Sequence, residues 1–252
     1  MELTTTPGTN VYRVPVTPYT RMEIQLRLKT PNNKYSKWTA KHIATSAEDA
    51  PSVVRSVQLG KTGSREVLCT WNPPEHANGI IRHYSIVYTP LAFRIPSCGQ
   101  MEPNLTEVIV PAGHTAVNLT ALQPYVKYQV SVSAVTIRPG PEYSMAFHTS
   151  ADVPEGAPAD LKLVRTTDAS SSLTWSGVPC EIANGPNLTY YSELESNDEW
   201  DQNIRNATTK EVFFTYDNLV PFTRYRAKGV RPERGRSLTE LLLSDIHNCS
   251  HG

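Results

Sequence analysis

Long apolar runs are missing from this chain. No stretch in its 252 residues approaches 18 apolar residues, and the densest late one, Leu238 to Leu243, is six long and interrupted. These residues therefore carry no membrane-spanning helix. Neither sign of charge is in excess, since 24 Lys and Arg balance 24 Asp and Glu. That removes a general attraction for nucleic acid or an acidic membrane surface. Glycine is scarce beside proline, 13 against 20, which predicts many short elements separated by stiff turns. The opening Met1-Glu2-Leu3-Thr4-Thr5-Thr6-Pro7 has neither the basic region nor the apolar core of a signal peptide.

Catalytic patterns are missing too. His42, His76, His83, His114, His148, His247 and His251 are scattered, with no H-E-x-x-H and no G-x-S-x-G. Gly60-Lys61-Thr62 has the tail of a phosphate-binding loop, but Arg55 stands where that motif needs glycine. The sequence offers no cofactor site, no metal site and no convergent polar group, so it reads as non-enzymatic. Cys69, Cys98, Cys180 and Cys249 form an even set without the C-x-x-C spacing of a zinc site. Together with N-x-S/T acceptors at Asn104, Asn118, Asn187, Asn206 and Asn248, they place the chain in an oxidising, extracellular setting.

What the sequence does contain is repetition. Leu122-x-Pro124-x-x-x-Tyr128 recurs 97 residues later as Leu219-x-Pro221-x-x-x-Tyr225. It appears in weaker form as Val16-x-Pro18-x-x-x-Met22. Trp71, Asn78-Gly79 and Tyr84 are matched by Trp175, Asn184-Gly185 and Tyr190, with the two tryptophans 104 residues apart. Between these markers the chain alternates apolar and polar residues, as in Tyr128 to Val135 and Met22 to Leu28, which is the period of a strand. No 11-residue window carries a helical stripe. The expected fold is all-β, with a unit of about 100 residues, the size of a seven-strand sandwich.

At these residues the chain resembles tandem fibronectin type III domains, that is, immunoglobulin-like seven-strand β-sandwiches in series. The resemblance implies a structural core of Trp71, Tyr84, Tyr128, Trp175, Tyr190 and Tyr225, with each corner tyrosine tying backbone and core together. Pro-marked linkers at Asp49-Ala50-Pro51-Ser52 and Asp152 to Pro158 divide it into residues 1–48, 50–150 and 155–249. The first is expected to be only the last strands of a truncated type III domain, so that the sequence is a fragment of a longer ectodomain.

Cys69 is expected to face inward beside Trp71, and a Cys69–Cys98 bridge would close a loop of about 30 residues, contributing about 3–4 kcal/mol. Cys180 and Cys249 sit at opposite poles in such a fold, so either the tail folds back or they pair outside the fragment. Glu193, Glu195, Asp198, Glu199 and Asp201 crowd one strand, and Arg224, Arg226, Lys228, Arg231, Arg234 and Arg236 crowd another with its loop. Cross-strand ion pairs explain most of this pattern. A ridge of Arg231, Arg234 and Arg236 binding heparan sulfate or a protein partner is the alternative.

Tyr35-Ser36-Lys37-Trp38-Thr39 resembles a degenerate W-S-x-W-S box of class I cytokine receptors. Tyr35 stands for the first Trp, and Thr39 for the last Ser. The resemblance implies that the rings of Trp38 and Tyr35 meet Arg27 and Lys29. A box followed by further type III domains also resembles the membrane-proximal stalk of tall signal-transducing receptors of this class, including the invertebrate Domeless type. The same modules build receptor tyrosine phosphatases, neural adhesion molecules and secreted matrix proteins, and fold alone does not separate these. The expected role is that of a protein-binding or spacer region on the outer face of the plasma membrane, or secreted. Its partner would be a protein ligand or co-receptor.

Overall fold

The computed structural model describes residues 11–230 apart from 197 and 200, together with 8 and 239–241. Asn248, Cys249 and the basic ridge of Arg231, Arg234 and Arg236 lie outside the described residues.

The first unit is a two-stranded antiparallel ribbon of β1 (Arg21–Ile24) and β2 (His42–Thr45). The second comprises β3 (Arg55–Leu59), β4 (Val67–Asn72), β5 (His83–Phe93), β6 (Thr106–Pro111), β7 (Ala116–Leu119), β8 (Val126–Val135) and β9 (Tyr143–His148). These form a three-stranded sheet in the order β3-β4-β7, facing a four-stranded sheet in the order β6-β5-β8-β9. The third unit comprises β10 (Ala159–Thr166), β11 (Ser171–Ser176), a short helix α1 (Cys180–Ala183), β12 (Tyr190–Ser196), β13 (Arg205–Thr209), β14 (Phe213–Tyr216), β15 (Tyr225–Val230) and β16 (Thr239–Leu241). Its sheets run β10-β11-β14 and β13-β12-β15-β16, so both units are seven-strand sandwiches of one topology.

Alternation decides which side chains meet between the sheets. On β4, Val67, Cys69 and Trp71 are buried while Leu68 and Asn72 are exposed. On β11, Ser171, Leu173 and Trp175 are buried in the same positions. Each tryptophan meets its tyrosine edge-on: Trp71 and Tyr84 have ring centroids 5.3 Å apart, and Trp175 and Tyr190 are 5.4 Å apart.

The corners have one geometry, used three times. Tyr19, Tyr125 and Phe222, each directly after its proline, adopt left-handed φ of 49°, 55° and 61°, a conformation that bulky residues seldom hold. The Gln123 N–H donates to the Tyr128 hydroxyl, and the Val220 N–H to that of Tyr225, each at 2.9 Å. In the first unit Met22 has no hydroxyl to offer. The closing hydrogen bonds repeat nonetheless. The Tyr19 N–H donates to Ala47 O and the Thr20 N–H to the Ser46 hydroxyl, as the Tyr125 N–H does to Ser150 O and the Val126 N–H to the Thr149 hydroxyl. Residues 17–47 thus close in the manner of the last two strands of the sandwich that follows.

Candidate functional site: an arginine stack and two domain junctions

Beyond β1 the ribbon continues through Leu28, facing the segment Tyr35 to Thr39. The two segments are joined by hydroxyls as well as backbone. The Leu28 N–H donates to the Ser36 hydroxyl at 2.9 Å, and the Leu26 N–H to the Thr39 hydroxyl at 3.0 Å. Ser36 and Thr39 N–H groups donate in return to the carbonyls of Leu28 and Leu26. This register lays the Arg27 guanidinium over two rings, 4.0 Å from the Tyr35 centroid and 4.3 Å from that of Trp38. The Lys29 ammonium stands 5.7 Å from Tyr35. Both rings remain about half exposed, so the stack is an interleaved surface feature. The opposite face of the ribbon shows Ile24, Leu26 and Leu28 to solvent.

The linkers are held by the Asn-Gly turns, a role beyond chain reversal. Asn78 and Asn184 are left-handed, with φ of 54° and 56°. Each accepts through its carbonyl from a linker aspartate N–H, Asp49 or Asp152, at 2.8 Å. The side-chain amide then donates one residue further on, to Ala50 O at 2.8 Å or Val153 O at 2.9 Å. The glycine that follows lets the linker pass closely. A Cβ on Gly79 would stand 3.1 Å from Glu48, and one on Gly185 3.2 Å from Ala151.

The linker acids differ in what they reach. At the first junction, the Asp49 carboxylate pairs with Arg138 and accepts from the Ala50 N–H, which hold it below the usual carboxylate range. The Ile80 N–H and Arg82 do the same for Glu48. Thr136 donates to Asp49 O. These ties run forward, into the second unit. At the second junction the Asp152 carboxylate, lowered first by the Val153 N–H, also takes Arg65 of the preceding unit at 3.2 Å. Arg65 pairs with Glu155 as well, and the Gln123 amide donates to Glu181 O at 3.2 Å.

A disulfide crosses this second junction. Cys98, in a 3-10 turn at Pro96–Cys98 between β5 and β6, is bonded to Cys180 at the start of α1, with Cα atoms 5.9 Å apart. This corrects the expected Cys69–Cys98 pairing and the expectation that Cys180 pairs with a folded-back tail or outside the fragment. Cys69 is a free thiol with no exposed surface. Its inward position between the sheets is what keeps it away from the loop that carries Cys98. Burial pushes its thiol up to about 11.

The acidic cluster also differs from expectation. Asp198, Glu199 and Asp201 lie past the end of β12, and Asp201 is 2% exposed. Its carboxylate accepts a short hydrogen bond from the Tyr225 hydroxyl and pairs with Arg205 at 2.9 Å. Burial alone would raise its pKa. Tyr225, Arg205 and the Asn203 N–H outweigh that and hold it below the usual range. On the strands themselves Glu193 sits opposite Lys228 and Glu195 opposite Arg226, the latter pair 3.7 Å apart. Asn104, Asn118, Asn187 and Asn206 are all exposed. Asn118 is on the three-stranded sheet of the second unit, while Asn206 is on the four-stranded sheet of the third. Among the described residues, no helix is long and apolar enough to cross a membrane, and no cluster of three His, Cys, Asp or Glu has metal-binding geometry.

Topology, corner and Trp–Tyr pair define a series of immunoglobulin-like sandwiches. Residues 49–149 match the family described as "Fibronectin type III domain", and the unit after them repeats the same strand order, so the fold is that of tandem type III sandwiches. It is 30% identical over 162 residues to a Drosophila melanogaster protein named "Cytokine receptor", covering 63% of this chain and 12% of that protein. It is 28% identical over 192 residues to "Cell adhesion molecule Dscam2" of Drosophila melanogaster, covering 73% and 9%. To human "Phosphatidylinositol phosphatase PTPRQ" it is 27% identical over 185 residues, covering 71% and 7%. The chain thus spans about a tenth of the length of these curated relatives.

Proposed function

We propose that this chain is a non-catalytic, extracellular protein-binding and spacer region of a single-pass cell-surface receptor, cytokine-receptor-like in its first unit. The observation that carries the reading is the Arg27 guanidinium interleaved between Tyr35 and Trp38, with the Ser36 and Thr39 hydroxyls accepting from the facing strand. In this segment the order aromatic, serine, spacer, tryptophan and threonine puts rings against Arg27 and hydroxyls against the facing backbone. The naked Ile24, Leu26 and Leu28 face supports reading residues 1–48 as the closing strands of a domain whose other strands precede them, because an apolar stripe of that kind needs a second sheet. Residues 50–150 and 155–249 are then two whole domains.

The exposed sequon asparagines and the disulfide support an extracellular setting. In this reading the sandwiches space and orient a ligand-binding part upstream, and their loops meet a protein ligand or co-receptor. A second reading, as repeats of an adhesion molecule or receptor phosphatase, is favoured by the wider stretch over which those relatives align. The full coding sequence tests both. One apolar span of about 20 residues downstream, followed by a tail without a catalytic domain, is the expected result. A phosphatase signature, or many more type III repeats on both sides, would move the assignment to the second class. A stop codon with no span would make the protein secreted and remove the receptor.

A further inference from the structure

The two junctions share the Asn-Gly clasp and the linker aspartate's bond to the next N–H, and differ in which unit their other ties reach. At the first, the ties of Glu48 and Asp49 among the described residues reach into the unit that follows. At the second, three loops of the preceding unit reach across. Arg65 comes from the loop between β3 and β4, Gln123 from the corner between β7 and β8, and Cys98 from the connection between β5 and β6. Attachments from three loops restrain bending in two directions and rotation about the long axis, which a single tether does not.

The disulfide belongs to neither hydrophobic core. The second core closes around Trp71, Tyr84 and Val130, and the third around Trp175, Leu194 and Tyr225, without either sulfur. Cys98 and Cys180 are both partly exposed. We propose that Cys98–Cys180 is a reducible lock that makes the second and third units one rigid body, leaving the bend of the chain to the first junction. The lock opens by thiol–disulfide exchange with an external dithiol. A thiolate attacks one sulfur and breaks the S–S bond, and a second attack releases that thiol. The protein gains two thiols while the dithiol becomes a disulfide. Cys69 does not intercept the exchange, because its thiol is buried and un-ionised. The inference does not depend on which class of receptor the chain belongs to.

The test uses the whole 252-residue chain, untreated, reduced with dithiothreitol, and as the C98S/C180S double variant. Peptide mapping without reduction should recover a Cys98–Cys180 peptide. Small-angle scattering should give a narrower range of shapes for the untreated chain than for the other two, which should agree with each other. Near-ultraviolet circular dichroism and the thermal transitions of both sandwiches should survive reduction. A different cysteine pairing would overturn the proposal. So would scattering unchanged by reduction, which would mean that the ion pairs alone fix the junction. Unfolding of the third unit on reduction would make the bond a staple of that domain and likewise defeat the lock.

Discussion

The second and third sandwiches share one topology and fill it differently. On the central strand β8 the inward residues include Tyr128 and Val130, and in the same positions on β15 stand Tyr225 and Ala227. Ile86 on β5 is matched by Ser192 on β12. At these positions of the four-stranded sheet the third unit therefore has less apolar volume. It recovers volume from the other side, where Phe214 and Tyr216 take the places of Val117 and Leu119. The price of the larger ring is a buried hydroxyl, which donates to the Ser192 hydroxyl at 2.9 Å. Tyr225 in turn donates to the buried Asp201 carboxylate. Both cores are rich in aromatics, but the second unit's adds aliphatic side chains such as Ile86, Val130 and Val132, whereas the third unit's adds buried hydroxyls with matched polar partners. The latter arrangement depends on every partner being present.

The largest effects should come from what the two units share. Trp71→Ala and Trp175→Ala each remove a buried indole packed on a tyrosine, and each should cost about 3–5 kcal/mol. Calorimetry of the whole chain should show only the mutated unit losing its transition. If both transitions moved together by similar amounts, the two cores would be coupled and the description of separate sandwiches would fail.

Next in size is the feature that only the third unit has. Asp201→Ala leaves the Arg205 guanidinium and the Tyr225 hydroxyl without their shared acceptor. Breaking such a buried pair costs about 3–5 kcal/mol, and the lower end applies because the Arg205 side chain is 23% exposed. The second unit should be unaffected. The same carboxyl predicts an acid response. Its pKa is lower in the folded state than in the unfolded chain, so its stabilisation is complete above the ordinary carboxylate range and is lost as pH falls through the folded value. The lowered Glu48 and Asp49, tied into the second unit, pair with largely exposed arginines and contribute less. The third unit should therefore melt earlier than the second on acid titration, and Asp201→Asn should flatten that dependence. Equal acid sensitivity of the two units would break the comparison.

Much of this contrast was legible in the sequence, and the illegible part has physical causes. Trp71, Trp175, Tyr128 and Tyr225 announce themselves, because one buried aromatic at a fixed strand position leaves a spacing that survives divergence. Asp201 did not, because acids three and six residues past Glu195 look like a continuing strand surface until the chain turns at Asp198. The disulfide was hidden for a different reason. Alternation and loop length locate a cysteine within its own domain, but a bond between domains depends on how two poles face each other, which no local period encodes. Asn78 and Asn184 were visible as turns, while their grip on the linkers became apparent only with the linker in place.

That grip supplies a smaller test. Asn78→Ala and Asn184→Ala each remove one amide donor to a linker carbonyl and strain a left-handed position, together about 1–2 kcal/mol. The junctions should answer unequally. Amide exchange at Asp49 should rise in the first variant more than exchange at Asp152 rises in the second, because Arg65 and the disulfide still hold the second linker. Equal rises would mean that the clasp, and not the extra ties, controls both linkers.

An effect no larger than that falls on the first unit, which has no second sheet among the described residues and so lacks the deep burial that stabilises the other two. There the stack on Arg27 is a large share of what holds the two facing segments. Two exposed cation–π contacts are worth about 0.5–1 kcal/mol each, so Arg27→Ala should open this pairing by about tenfold. Exchange of the Leu26 and Leu28 amides, which donate to Thr39 and Ser36, reads that opening directly. Arg27→Lys should recover less than half of the loss, because an ammonium cannot lie flat between two rings as a guanidinium does. If Arg27→Ala left both amides as protected as before, the hydroxyl bonds alone would be holding the box. The aromatic interleaving would then be a consequence of the ribbon rather than one of its causes, and the cytokine-receptor-like reading would lose the feature it rests on.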